Sequence, residues 1–406
     1  MLNSKNISFE RNFPKHKFKS KKNINKKFIS DSLKNVKNTP LKKDTFDLFK
    51  KNFKLNLDLT ELNKYRKYQR IIIIGMGGSI LGAQAAYNFL NKKIKKKIIF
   101  INNLDTDFIN EVNKIKNLKN SLFLLISKSG NTIEILSIID SLKSNAQFNK
   151  TNTLIITENK RSQLNLFAQK SKIKVIFHRS YIGGRFSIFS ETGLVPCYLM
   201  GINVNKLKKN ILYYLQKGNS SLTNNLLNLA NIYSSRKIKS LILLNYCSGL
   251  EHFLLWCQQL IAESLGKNGK GIIPIVSLAP RDHHSLLQLY LDGPQDKFYY
   301  IFSNQKNKKN KKVSNFFYDI LKKSNVSQII KSQNRAMISL LKSKKSPFLS
   351  LDLKERNEET LGELFSYFII ETIILAKSLK INPFNQPAVE KLKILTKKNL
   401  SKKNQI

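Results

Sequence analysis

Short, uninterrupted apolar runs recur from residue 71 onward, each followed by a polar or glycine-rich turn and then by an amphipathic stretch. They read IIII at 71–74, IIFI at 98–101, SLFLLI at 121–126, TLIIT at 153–157 and KVIFH at 174–178. A second series follows, with SLILLN at 240–245, IIPIVSL at 272–278 and KFYYIFS at 297–303. Runs that do not alternate with polar residues belong to strands buried on both faces, as in a parallel sheet covered by helices. Helical stretches are predicted between them and across 206–235, 253–265, 359–379 and 382–398. Strands alternating with helices make βαβ units, so the pattern predicts an α/β fold of two doubly wound parallel-sheet domains with a C-terminal helix. We place the first domain at 46–200, the second at 201–380 and a C-terminal helical segment at 381–406.

Residues 1–45 are polar, basic and without sustained periodicity, which predicts a partly disordered or loosely packed extension. Just beyond it, Phe46, Phe49 and Phe53 recur at i, i+3 and i+7, so a helix is expected there with the three rings on one packed face. NKKNKK at 307–312 is expected to be an exposed turn. The apolar run 366–376 is too short to span a bilayer and reads as a buried core helix.

Composition narrows the picture. The chain has 406 residues with 41% hydrophobic content, enough for two ordinary cores. Its net charge of +45 raises the question of nucleic acid. The lysines, however, are spread along the whole chain, and aromatics do not interleave with them as a stacking platform requires. No nucleic-acid partner and no membrane are therefore expected; the lysines load solvated faces and can attract anionic substrates. The lysine-rich start has no apolar core, so it is not a secretory signal, although its basic, acid-poor character leaves a transit peptide open. Cys197, Cys247 and Cys257 lie in apolar settings without disulfide or metal spacing, which points to a reducing cytoplasm.

Two glycine-containing turns have the chemistry of phosphate cradles. GMGGS at 75–79 lies between a buried strand and a helix, where glycines let backbone amides approach an anion and the helix dipole favours it. A tight turn would look the same. SKSGNT at 127–132 follows another buried strand and offers three hydroxyls, an amide and a lysine just before a helix, a donor set suited to a phosphoryl group. Its alternative is an N-capping turn started by Thr132 and Glu134. Neither turn has Walker lysine spacing or a ribose-binding acid, so a monophosphate fits the pair better than a nucleotide.

Candidate reacting groups lie farther along. On the helix 253–265, Phe253, Trp256, Cys257, Leu260, Ile261 and Ser264 form the core stripe, with Glu263 about a quarter turn off it and Gln259 one turn earlier on the same flank. A carboxylate at the edge of an apolar face can be tuned by desolvation into a general base. His283 and His284 sit in a strand-to-helix loop; a metal site there would lack further ligands. Arg185, in GGRFS, could steady a developing oxyanion or pair with a carboxylate. Lys393 lies two helical turns beyond Gln386.

Six segments in one order carry a resemblance: GMGGSILG (75–82), SKSGNTIE (127–134), GGRFSIFSETGL (183–194), QQLIAESLGKNGKG (258–271), DHHSLLQLYLDGP (282–294) and NPFNQPAVEKLK (382–393). From about residue 70 to 395 the chain resembles the glucose-6-phosphate isomerase (phosphoglucose isomerase) family of the sugar-isomerase (SIS) superfamily. The resemblance implies two SIS-type domains and no metal or cofactor. It also implies an aldose–ketose isomerisation through ring opening and a cis-enediol(ate). By it, Gly78, Ser79, Ser127, Ser129 and Thr132 hold phosphate with Lys128 beside them, and Gln259 and Gln386 position the sugar. Glu263 is then the base and Arg185 the stabiliser of charge, while His284 and Lys393 open the ring. It further implies a homodimer in which His284 reaches the site from the neighbouring subunit. Asp282 and His283 become supporting residues. SGNT replaces the SKTFTT-type sequence of many members, and the chain is short for the family. Two other readings are weighed: a dual phosphoglucose/phosphomannose isomerase, disfavoured by QPAVEKLK, and a non-catalytic sugar-phosphate regulator, for which no helix-turn-helix is visible in 1–45.

Overall fold

Two five-stranded sheets, each wound by helices on both faces, are seen in a computed structural model that describes residues 4–14, 18, 24–37, 45–50, 53–215, 220–304 and 324–403. The chain opens with β1 (Ile7–Asn12) and α1 (Lys26–Lys37). It continues through β2 (Arg70–Gly75), α2 (Leu81–Leu90), β3 (Lys97–Ile101), α3 (Thr106–Asn113), β4 (Leu122–Ile126) and α4 (Ile133–Ala146). β5 (Thr153–Glu158), α5 (Gln163–Lys170), β6 (Lys174–His178) and α6 (Glu191–Met200) complete the first series. Then come α7 (Val204–Lys208), α8 (Ser220–Ser235), β7 (Ser240–Asn245), α9 (Glu251–Leu265), β8 (Ile273–Leu278), α10 (Leu287–Asp292) and β9 (Lys297–Asn304). The last elements are α11 (Val326–Ser343), β10 (Phe348–Leu353), α12 (Glu358–Ser378) and α13 (Pro387–Lys403).

The first sheet has the order β3-β2-β4-β5-β6, all parallel. Its central strands are apolar on both faces: Ile71 to Ile74 and Leu122 to Ile126 are all fully buried. The second sheet runs β1-β10-β9-β7-β8 and is parallel except for β1. Between the sheets, α2 from the first series packs against α9 and α12 from the second, with α7 also on α12, and their apolar faces merge into one large core.

The extension expected over residues 1–45 needs correction. β1 pairs antiparallel with β10, from Ile7 opposite Leu353 to Asn12 opposite Phe348, and α1 packs on α8 and α12. Ile7 and Phe9 point inward while Ser8, Glu10 and Asn12 are less buried on the other face, the period-2 pattern of a one-face-buried edge strand. Asn6 Nδ2 donates to the buried Glu363 at 2.8 Å, tying the strand to α12. Phe46 and Phe49 are buried as expected, but on a 3₁₀ turn, Thr45–Phe49. The 307–312 turn lies outside the described residues.

α12 is buried almost throughout and carries a second acid, Glu371, inside the core. One of its oxygens accepts from Tyr300 Oη at 2.6 Å and the other has no partner. Burial pushes its carboxyl up from the ordinary 4.5 to about 7. The folded chain therefore holds a proton that the unfolded chain releases over that window. Stability is lost as pH rises from about 4.5 to 7 and stays low above it. Glu371→Gln should raise stability above pH 7 by up to ~3 kcal/mol, seen as a higher melting temperature, and the gain should vanish below pH 5 in melts followed by circular dichroism.

Candidate active site

The site begins where β2 and β4 end. These strands are neighbours in register, Gly75 beside Ile126, so their following turns leave the same sheet edge side by side. The chain passes from β2 outward to β3 on one side and to β4 on the other, which makes this edge a topological switch point, the place where open α/β sheets bind ligands.

Residues 127–132 form a hydroxyl cluster. Ser127 Oγ lies 2.9 Å and Ser129 Oγ 3.3 Å from Thr132 Oγ1, and the Gly130 amide donates to Ser127 Oγ at 3.2 Å. Thr132 stands at the N-cap of α4, yet its side chain does not cap the helix. The hydroxyls face one another across the turn, which favours the cradle over the capping alternative. Lys128 turns aside, giving its Nζ to Ser180 O at 2.8 Å and lying 3.6 Å from Glu158; burial lowers the pKa of its ammonium.

After β2, Gly77–Ser79 make one 3₁₀ turn. A Cβ on Gly78 would stand 2.3 Å from Gly184 C and 2.4 Å from Arg185 N, so only glycine lets this turn seat against the 183–185 loop. Gly77, with φ +51, has Gln259 on its other side; a Cβ there would be 2.9 Å from Gln259 Nε2.

Arg185 is the hub. Its side chain is almost wholly buried, and its Nη1 donates to Glu263 Oε2 at 2.9 Å and to Gln386 Oε1 at 3.0 Å. Nε donates to Ser264 Oγ at 2.9 Å, and Nη2 to the carbonyls of Pro383 and Asn385. Its own carbonyl accepts from the buried Trp256 Nε1 at 3.1 Å. Glu263 is completed by Gln259, whose Nε2 donates to Oε1 at 2.8 Å. The bare apolar edge expected around Glu263 is therefore replaced by a cation and an amide. Gln259 Oε1 is buried without a partner, an acceptor still open to a hydroxyl.

Arg185, Glu263, Gln259, Gln386, Gly78 and the 127–132 turn are thus assembled by one chain. His284 and Lys393 are not. His284 is exposed at the end of a 3₁₀ turn, Arg281–His284. Lys393 is exposed on α13 and paired with Glu390 at 2.9 Å. Gln386 precedes α13 rather than sharing it. Asp282 is structural, accepting from Ser277 Oγ and the Leu278 amide, and His283 Nε2 meets Tyr246 Oη at 2.7 Å. Among the described residues no three His, Cys, Asp or Glu are placed to share a metal ion.

Sequence reading missed two participants. Ser264 looked like one more core position. Lys267, at the end of α9, donates to Asn382 O at 2.5 Å, while Lys270 holds Leu379 O at 2.8 Å. With Arg185 they fasten the 379–386 strap that carries Gln386. Burial, and then Arg185, push the Lys267 ammonium down to about 8.

The family model described as phosphoglucose isomerase matches residues 51–405, and the chain belongs to that family. It is 31% identical over 351 residues to the glucose-6-phosphate isomerase of Methanocaldococcus jannaschii, covering 82% of this chain and 85% of that one. To the Campylobacter jejuni glucose-6-phosphate isomerase it is 33% identical, covering 82% and 86%. Two crystal structures share the fold: a hypothetical protein from Thermus thermophilus (TM-score 0.82, 21% identity, covering 97% and 100%) and a glucose-6-phosphate isomerase from Chlamydia trachomatis (0.76, 19%, 94% and 86%).

Lys267→Met should lower kcat/KM at neutral pH about tenfold, the lower end for losing one charge-assisted hydrogen bond. Wild type should show an inflection near pH 8 in its pH–rate profile as Lys267 deprotonates, and this variant should lack it.

Proposed function

We propose that this chain interconverts D-glucose 6-phosphate and D-fructose 6-phosphate, the reaction of its family, with Glu263 as the base that moves the proton between carbons 1 and 2. The observation that carries this is the seating of Glu263, held between Arg185 and Gln259 beside the Gly77–Gly78 turn. An aldose–ketose isomerase needs one positioned carboxylate, a donor to the oxygen on which charge develops, and an anion clamp away from the reacting carbons.

In this reading Ser127, Ser129, Thr132, Gly78 and Ser79 hold the phosphate with Lys128 nearby. Gln386 and the open Gln259 Oε1 take sugar hydroxyls. Glu263 removes the C2 proton of the opened aldose and returns it to C1 through a cis-enediol(ate), and Arg185 stabilises the charge that builds on oxygen.

Ring opening is assigned to His284 and Lys393, with His284 supplied by the second subunit of a homodimer. Two features support a partner. Throughout 387–401, α13 is exposed, including Leu392, Ile394 and Leu395 at 66%, 67% and 56%. Leu289, on the short helix after His284, is 52% exposed. Exposed apolar groups of this kind mark association surfaces. The three buried free cysteines suit a cytoplasmic, reducing setting, and no described helix is long and apolar enough to cross a membrane.

In a coupled assay for fructose 6-phosphate conversion, Glu263→Gln should lose at least ~100-fold in turnover with little change in phosphate-ester affinity; near-normal turnover would sink the mechanism. A mixture of Glu263→Gln and His284→Ala subunits tests the shared site. Random reassociation of two inactive parents should restore about a quarter of wild-type activity, because half the dimers carry one intact composite site. No recovery on mixing argues for sites built within one chain.

A further inference from the structure

Both sheets are wound the same way. In the first, β2 is followed by β3 on one side and β4 on the other, and the loops at that divide make the site above. In the second, β7 is followed by β8 on one side and β9 on the other. The carboxyl ends of β7 and β9 are thus a second switch point, and a cavity of about 230 Å³ opens there, walled by Tyr246, Ser248, Ser303, Asn304, Asn334 and Arg356.

The cavity has its own cation. Arg356 gives Nε and Nη2 to Phe89 O, at 3.2 and 2.6 Å, and lies over the Phe89 ring. Among the described residues no carboxylate pairs with it. The turn after β7 is shaped to admit it: a Cβ on Gly249, at φ +98, would stand 2.2 Å from Arg356 Nη2. α9 starts at this turn without a side-chain cap, so its first amides add a positive dipole end at the mouth. Glu251 of that first turn is exposed and does not wall the cavity.

A separate observation points to a ligand. Asn334 is 9% exposed and lines the cavity, yet its amide nitrogen donates to no described residue. The amide nitrogen is thus a free donor beside a guanidinium whose described partners are backbone carbonyls only, and an anionic acceptor completes such a pair of donors.

We propose that this crevice is a second anion site, which takes a phosphate-sized oxyanion on Arg356, the Asn334 amide nitrogen and the Ser248 hydroxyl. Inorganic phosphate and a short phosphomonoester present the same oxygens to these groups. The proposal does not depend on the isomerase mechanism, because none of these side chains contacts Glu263 or the 127–132 turn.

Equilibrium dialysis of full-length protein with labelled inorganic phosphate, at physiological salt to screen the surface lysines, tests it. Wild type should bind two phosphates per chain. Ser127→Ala with Thr132→Val should keep one, and Asn334→Leu added to that pair should leave none. Alone, Asn334→Leu should keep turnover within about twofold and melt higher in phosphate-free buffer, since an unpaired amide is gone. Should that variant not fold, Ser248→Trp at the exposed mouth gives the same reading by blocking entry. Competition by glycerol 3-phosphate at the second site would identify an ester as its ligand, and no competition would identify the free ion. A single phosphate per chain in wild type, or a second phosphate untouched by both Asn334→Leu and Ser248→Trp, overturns the proposal.

Discussion

A buried guanidinium must be surrounded, and the need to surround Arg185 organises the centre of this molecule. Taking a cation out of water costs several kcal/mol unless its donors are met, and removing one partner of a buried pair costs about 3–5 kcal/mol. Arg185 meets that demand with groups from distant parts of the chain: a carboxylate and a hydroxyl from α9, and an amide oxygen and two carbonyls from the strap before α13. Its backbone is fitted against Gly78 and held by Trp256. The first sheet's glycine turn, the second sheet's helix and the C-terminal strap are therefore brought to one point by one side chain. Glu263 is aimed by the same contacts that keep Arg185 dry.

The second organising feature is the repeated winding of the sheets. Each half places its loops at a carboxyl-end divide, and α9 joins the two: its first turn opens onto the β7 edge while Gln259 and Glu263, farther along, face the β2 edge. The surface is loaded with lysine, but at the centre cations are few and each is fastened. Lys267 and Lys270 hold strap carbonyls, Lys128 holds Ser180 O, and Arg185 holds the rest.

What could be read in the sequence followed from burial. Strands such as 71–74 and 121–126 are apolar on both faces and announce themselves, and the turns after them inherit their position from the sheet. The 127–132 hydroxyls were legible as a donor set, although only geometry separates a cradle from a helix cap at Thr132. β1 escaped because an edge strand buries one face only: Ile7 and Phe9 alternate with polar residues amid lysines, and its partner lies at the far end of the chain. β10, FLSLDL, escaped for a related reason, its polar residues interrupting the apolar run. Lys267 was invisible in a chain where lysine is everywhere, and the carbonyls of Pro383 and Asn385 carry no residue signature at all. Glu263 was found by its flank position, but its partners were not. His284 and Lys393 were named through family resemblance, and the folded single chain leaves both on its surface.

The pairing of β1 with β10 sets an order of events during synthesis. Leu353 leaves the ribosome 346 residues after Ile7, its partner across the sheet (353 minus 7). At roughly 5–20 residues per second the wait is roughly 20–70 s. Through that interval β1 lacks its partner strand, while the first sheet, whose strands all lie between Arg70 and His178, has its whole strand set in hand. The strands of the first sheet can thus pair while β1 still waits for its partner strand. The lysines near Ile7 and Phe9 in the sequence are well suited to keep that segment in solution until its partner strand arrives.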